Sequence, residues 1–224
     1  MGSRTRIATT APPSPTQTPS PPAPGATARF WRAISSLRGG RSLHPHGVAY
    51  EATLTVTGGD HGAPLLDVPG QHRAIVRLSR GVGLPKPLPD VLGLAVRIVD
   101  AHGPRRHQDF LVVTSVDAPL LHHLILPGPL GPYGQSYSSV LPYRVGGRLR
   151  LIGALPRRPD FDLAIAALSG RWEPFGRLRL GERLSAEASF ALRFNVWNCG
   201  GGIRPTGPFQ GLRDPAYRGS QAAR

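Results

Sequence analysis

Three groups of residues in this chain are of types that could do chemistry. A histidine, His44, stands in Arg41-Ser42-Leu43-His44-Pro45-His46-Gly47, just ahead of a stretch that reads as a strand. Arg77 and Ser79 fall two apart in Ala74-Ile75-Val76-Arg77-Leu78-Ser79-Arg80. If that segment is a strand, alternation puts both on the face of Ile75. A charged residue set among strand apolars needs an anionic partner if it is buried. Near the C-terminus, Arg213 precedes Tyr217 by four residues. On a helix those positions are neighbours, so the guanidinium can reach the phenolic oxygen. Asp60-His61 and His122-His123 are isolated pairs, which seldom make a metal site. The chain has no Gly-rich phosphate loop, no CxxC pair and no nucleophile elbow.

The elements that must position these residues are short. Gly 28 and Pro 25 in 224 residues favour many turns over long helices. Ala52-Thr53-Leu54-Thr55-Val56-Thr57 alternates apolar residues with threonine, the pattern of a half-buried strand, and Gly58-Gly59-Asp60 closes it. Further strands read at 73–79, 94–99, 110–114, 148–152, 177–180 and 186–194. Residues 119–131 and 159–169 are the best places for helices between them. Phe30, Trp31, Ile34 and Leu37 mark an earlier helix that ends at Gly39-Gly40, and the segment from Pro208 reads as helical. The fold class expected is α+β, mainly β: an antiparallel barrel or sandwich with helices around it. Residues 1–28, with seven prolines between Pro12 and Pro24, read as a disordered tail, and 29–224 as one folded domain.

The formal charge of +14 first suggests nucleic acid or an anionic surface. Lys86 is the only lysine, however, and the arginines are spread thinly with no dense basic stripe. A nucleic-acid partner is therefore not expected. Cys199 is the only cysteine, so no intrachain disulfide can form. No stretch is long and apolar enough to span a bilayer, and the first residues lack the apolar run of a signal peptide. A cytoplasmic protein without a membrane partner is the expectation.

Taken in order, the pieces resemble the catalase superfamily. Arg41, His44 and Gly47 match its Arg-x-x-His-x-x-Gly. Arg77-Leu78-Ser79-Arg80 matches its Arg-Phe-Ser-Thr, and Asp90 through Arg97 its Asp-x-x-Gly-Phe-Ala-x-Lys. Asp109 through Thr114 loosely matches its Asp-Leu-x-x-Asn-Asn. Phe194-x-x-x-Asn198 and Gly201-Gly202-Ile203 look like the stretch before its haem-ligand helix, and Arg213 to Tyr217 reproduces its Arg-x-x-x-Tyr. The resemblance covers roughly 40–115 and 190–217, and is nearest to small catalase-related haem proteins of bacteria.

The resemblance implies a catalase-like barrel binding haem b and reacting with hydrogen peroxide or an organic hydroperoxide and a small electron donor. Tyr217 would be the axial iron ligand, with Arg213 beside its oxygen. His44 would be the general acid–base on the other face, with Ser79 fixing its imidazole. Arg41 and Arg77 would pair with the propionates. Thr114 falls where the family has its peroxide-orienting asparagine. His44 and Thr114 would then face one internal cavity, closed on its other side by the C-terminal segment. Arg97 has no assigned anion. The loss of the family's long arm and C-terminal domain would favour one-electron oxidation of organic donors over dismutation. A homo-oligomer is compatible with all of this. Two alternatives stay open: a catalase-fold protein without peroxide activity, of the kind labelled phosphodiesterase, and a basic nucleic-acid-binding module.

Overall fold

A computed structural model describes residues 46–80, 91–122, 124–125 and 131–206. The tail at 1–28, the helix expected near Phe30, the C-terminal segment, and Arg41, His44, Arg213 and Tyr217 lie outside the described residues.

The described chain is mainly β. Ten strands run in order: β1 (His46–Val56), β2 (Gly70–Arg80), β3 (Leu92–Ile98), β4 (Gln108–Thr114), β5 (Tyr137–Ser138), β6 (Tyr143–Val145), β7 (Arg148–Arg157), β8 (Asp160–Ala166), β9 (Glu173–Arg183) and β10 (Ile203–Pro205). Two short helices accompany them, α1 (Pro64–Asp67) and α2 (Ala186–Ala191). Every strand pairing is antiparallel. The order β7-β5-β4-β3-β2-β1-β9-β8 returns to β7, which closes an eight-stranded barrel. β6 and β10 extend from β7 as a small flap outside that ring.

Alternation explains the wall. Ala52, Leu54 and Val56 of β1 point into the core while Thr53, Thr55 and Thr57 are exposed. The same rule sends Ala74 and Val76, then Leu94, Val96 and Ile98, then Phe110 and Val112, into one shared cluster. Tyr137, Phe161, Leu163, Phe175 and Leu178 complete it from the far wall. Tyr133 stacks on Phe161 with ring centroids 5.3 Å apart, and Tyr137 meets the same ring edge-on at 5.9 Å. The barrel interior is thus filled by side chains, as a small closed barrel requires.

Two expectations about elements are corrected. Residues 159–169 contain β8 rather than a helix, because Phe161, Leu163 and Ile165 alternate inward against β7 and β9. Residues 186–194 contain α2 rather than a strand. Ser185 caps it, its hydroxyl accepting from Ala188 N–H at 3.1 Å. α2 packs on the outside of β1, where Ala49 N–H donates to Ser189 Oγ at 3.3 Å.

Three glycines lock the flap to the barrel end. Gly146, at φ 53°, turns the β6–β7 hairpin so closely under Gly62 that a Cβ there would lie 2.3 Å from the His61 carbonyl oxygen. Gly202 approaches the Gly62 carbonyl in the same way, and Gly146 N–H donates to Gly202 O at 3.2 Å. On the flap's outer side Arg204 stands directly opposite Arg144.

Candidate functional site

The register places Arg77 and Ser79 together, on the outer face of the barrel wall. Gly47, Ser79, Gly93 and Val113 are direct cross-strand partners in one row across β1 to β4. The row continues through Ser138 of β5 to Gly153 of β7. Beside it runs a second row, Ala49, Arg77, Ala95 and Leu111. Both rows are mostly small residues, with Val113, Leu111 and Arg77 the larger ones, and Ala49 lies under α2. Arg77 is the cation beside the first row. Its guanidinium folds over Gly47, where a Cβ would come within 2.7 Å of Arg77 Nε. Ser79 Oγ donates to Gly93 O at 3.4 Å, a long bond that leaves the hydroxyl easily redirected. At the far end the indole of Trp172 covers Gly153, 2.7 Å from a Cβ built there.

Thr114 is on the other side of the wall. It pairs with Tyr137, is fully buried, and its Oγ1 accepts from Leu92 N–H at 3.2 Å. Parity is the reason: Thr114 belongs to the inward set with Phe110 and Val112, whereas Val113 shares the outward row with Ser79. The structure thus joins Arg77 to Ser79 and separates both from Thr114. The interior that Thr114 faces is packed core, not an open chamber.

Arg97 does have an anion, against expectation. Its Nε and Nη2 donate to Asp109 Oδ1 and Oδ2 at 2.8 and 2.6 Å. Asp109 Oδ2 also accepts from Asn195 N–H at 2.8 Å and Asn198 Nδ2 at 2.9 Å. Arg97 lies over the Phe194 ring and donates to the Arg193 carbonyl. This buried pair staples the segment after α2 onto β3 and β4. The expected match of Phe194 and Asn198 to an approach segment falls on these same residues. The signal available in sequence was their polar type; what they bind is set by register across strands.

The titratable groups sort by burial. Burial pushes the Tyr137 phenol well above its ordinary value, and Tyr133 rises for the same reason, helped by Tyr50 and Asp160 and opposed by Arg158. Neither is suited to be a phenolate. Burial also raises the Cys199 thiol, with Arg204 pulling the other way. Asp67 is committed to the backbone N–H groups of His61 and Ala63, at 2.6 and 2.7 Å. His122 is buried with both ring nitrogens against carbonyl oxygens, Val116 at 3.3 Å and Gly170 at 3.2 Å. No group of three or more His, Cys, Asp or Glu side chains that could hold a metal ion occurs among the described residues. No protein-family model matches the chain, and a search of the curated proteins returns no match.

Proposed function

We propose that this chain is a haem-dependent peroxidase of catalase-like type, reacting with hydrogen peroxide or an organic hydroperoxide and a small electron donor. The observation that carries the reading is the outward strip Gly47–Ser79–Gly93–Val113 with Arg77 at its border. A row of small residues lets a ring approach the wall, and a guanidinium beside it suits a carboxylate on that ring. This row and its cation are what the described residues offer haem b. The group would lie against the outside of the wall, because the interior is packed.

Bound haem would supply the redox-active iron that the side chains themselves lack. Arg41 and Arg77 would neutralise its propionates. Tyr217 would hold the iron, with Arg213 stabilising the phenolate. Tyr133 and Tyr137 are unsuited to that role, since burial favours their neutral forms. His44 would take a proton from peroxide and return it to the departing oxygen. Ser79 would turn its hydroxyl from Gly93 O to orient the imidazole. Thr114, behind the wall, is given no contact with peroxide.

Protein produced with haem available should be coloured, with the bands of tyrosinate-ligated ferric haem. Tyr217→Phe should abolish those bands or the haem itself. His44→Ala should keep the bands and remove the reaction with peroxide. Gly47→Val should displace the Arg77 guanidinium and, like Arg77→Ala, lower haem retention. A colourless wild-type protein, or one whose iron ligation changes in His44→Ala and not in Tyr217→Phe, would sink the reading.

A further inference from the structure

The segment after β4 breaks the usual rule for aliphatic side chains. Leu120, Leu121, Leu124 and Ile125 are 68%, 43%, 52% and 38% exposed, side by side on one short loop. Scattered exposed aliphatics are ordinary; four in a run of six positions make a patch.

The loop is held in this shape. Val116 N–H donates to Leu124 O at 3.0 Å, and Ser115 bridges Ile125. Leu121 N–H donates to Ala118 O at 3.0 Å and Leu124 N–H to Leu121 O at 2.9 Å, two successive tight turns. Between the exposed leucines, His122 plunges inward. It is 1% exposed, bonded to two carbonyls, and packed at a tilt of 44° against Trp172 with centroids 4.5 Å apart. Trp172 in turn lies flat on Gly153 of the barrel wall. Leu120 takes a φ of 69°, a left-handed conformation that side chains other than glycine avoid. Strain of this kind persists where surrounding structure enforces it, and it gathers at functional surfaces.

The electrostatic setting selects the occupant. Arg171, Pro119 and His122 border one hollow of about 360 Å³, so a cation stands at the foot of the loop. Asp117 also borders that hollow, its carboxylate accepting from Ser136 Oγ at 2.9 Å, and it is the one acidic side chain there among the described residues. From there to Asp160 the sequence contains no acidic residue. The whole chain carries +14, so two copies repel one another and an anionic surface attracts each. No helix among the described residues is long and apolar enough to cross a membrane.

We infer that the described part of this loop, carrying Leu120, Leu121, Leu124 and Ile125, is a peripheral membrane-docking element. Leu120, Leu121, Leu124 and Ile125 enter the acyl boundary, and Arg171 meets the anionic headgroups. Shallow insertion of apolar side chains with adjacent basic charge is how monotopic proteins bind bilayers.

The test is co-sedimentation of the full chain with vesicles of phosphatidylcholine alone and of phosphatidylcholine with phosphatidylglycerol. Wild type should bind the anionic vesicles. A polycation binds such vesicles by charge alone, so the decisive variant keeps the charge constant. Leu120→Ser with Leu121→Ser should lower the partition about tenfold or more. Arg171→Gln should lower it a few-fold, and only on the anionic vesicles. Phe190→Ser, equally exposed but on α2, should change nothing. Thermal unfolding of each variant should match wild type, because these side chains are exposed. Three outcomes overturn the inference: no binding by wild type, equal binding by the double serine variant, or a concentration-dependent dimer that the serine substitutions abolish. The last would make the patch a contact between copies of the chain.

Discussion

Asp109 is the most heavily used carboxylate in the described chain. Fully buried, it accepts four hydrogen bonds and faces a guanidinium that is itself 15% exposed. Breaking one partner of such a pair leaves an uncompensated charge out of water, at a cost of about 3–5 kcal/mol. Asp109→Asn should therefore lower the midpoint of denaturant unfolding strongly, while Arg157→Gln, at the exposed Arg157–Asp162 pair, should lower it little. His72 gives a pH-dependent test of opposite character. Burial lowers its pKa from 6.5 in the folded state. The unfolded chain then takes up a proton before the folded one does as pH falls. Stability from this group is complete above about 6.5 and is lost as pH drops through the folded value. His72→Gln should flatten the stability profile as pH falls below about 6.5, and an unchanged slope would show that His72 is not its source. At this scale the sequence told part of the site. Alternation alone joins Arg77 to Ser79. It could not assign Arg97 its anion, because Asp109 is twelve residues away and becomes a neighbour only when β3 and β4 pair in one register. Parity likewise turns Thr114 to the interior and Arg77 and Ser79 outward, since one residue decides which side of a wall a side chain occupies.

Elements were legible where pattern and propensity agreed. The threonine alternation of β1 is a strand for the reason expected, and its threonines are the exposed set. β8 was obscured because Ala164, Ala166 and Ala167 raise helix propensity while Phe161, Leu163 and Ile165 carry a period of two. α2 was obscured in the opposite way. Its run of alanines with one phenylalanine can be read with either period, and Ser185 was not recognised as its cap. β5, β6 and β10 have two or three residues each, too short for any period to show. The position of β6 and β10 is set instead by close glycine contacts, which no local pattern announces. Gly146 is the clearest case, because it combines a positive φ with backbone atoms on the side a Cβ would occupy. Gly146→Ala should destabilise by about 2 kcal/mol or more and loosen β6 and β10 first. Amide exchange that speeds up across the whole barrel, without favouring the flap, would contradict that account. Gly147, at φ 83° with open space where its Cβ would be, isolates the cost of the dihedral alone when changed to Ala.

At the scale of the whole molecule, closure is the feature with the longest reach. β1 takes β2 on one edge, a partner nearby in sequence, and β9 on the other, about 120 residues later. A chain leaving the ribosome at ~5–20 residues per second would hold that second edge bare for roughly 6–24 s. During that interval Ala52, Leu54 and Val56 lack their opposite wall, and a row of backbone amides and carbonyls is open to any other strand. Unpaired edges of this kind recruit foreign strands unless charge interferes. The finished barrel has no such edge along β1, since closure removes it, and its outlying flap ends instead on β10, where Arg204 opposes Arg144. The hazard of this fold is thus one of time rather than of final shape. It belongs to the nascent chain, and it should make yield during synthesis depend on chaperone capacity and translation rate far more than the stability of the completed protein would suggest.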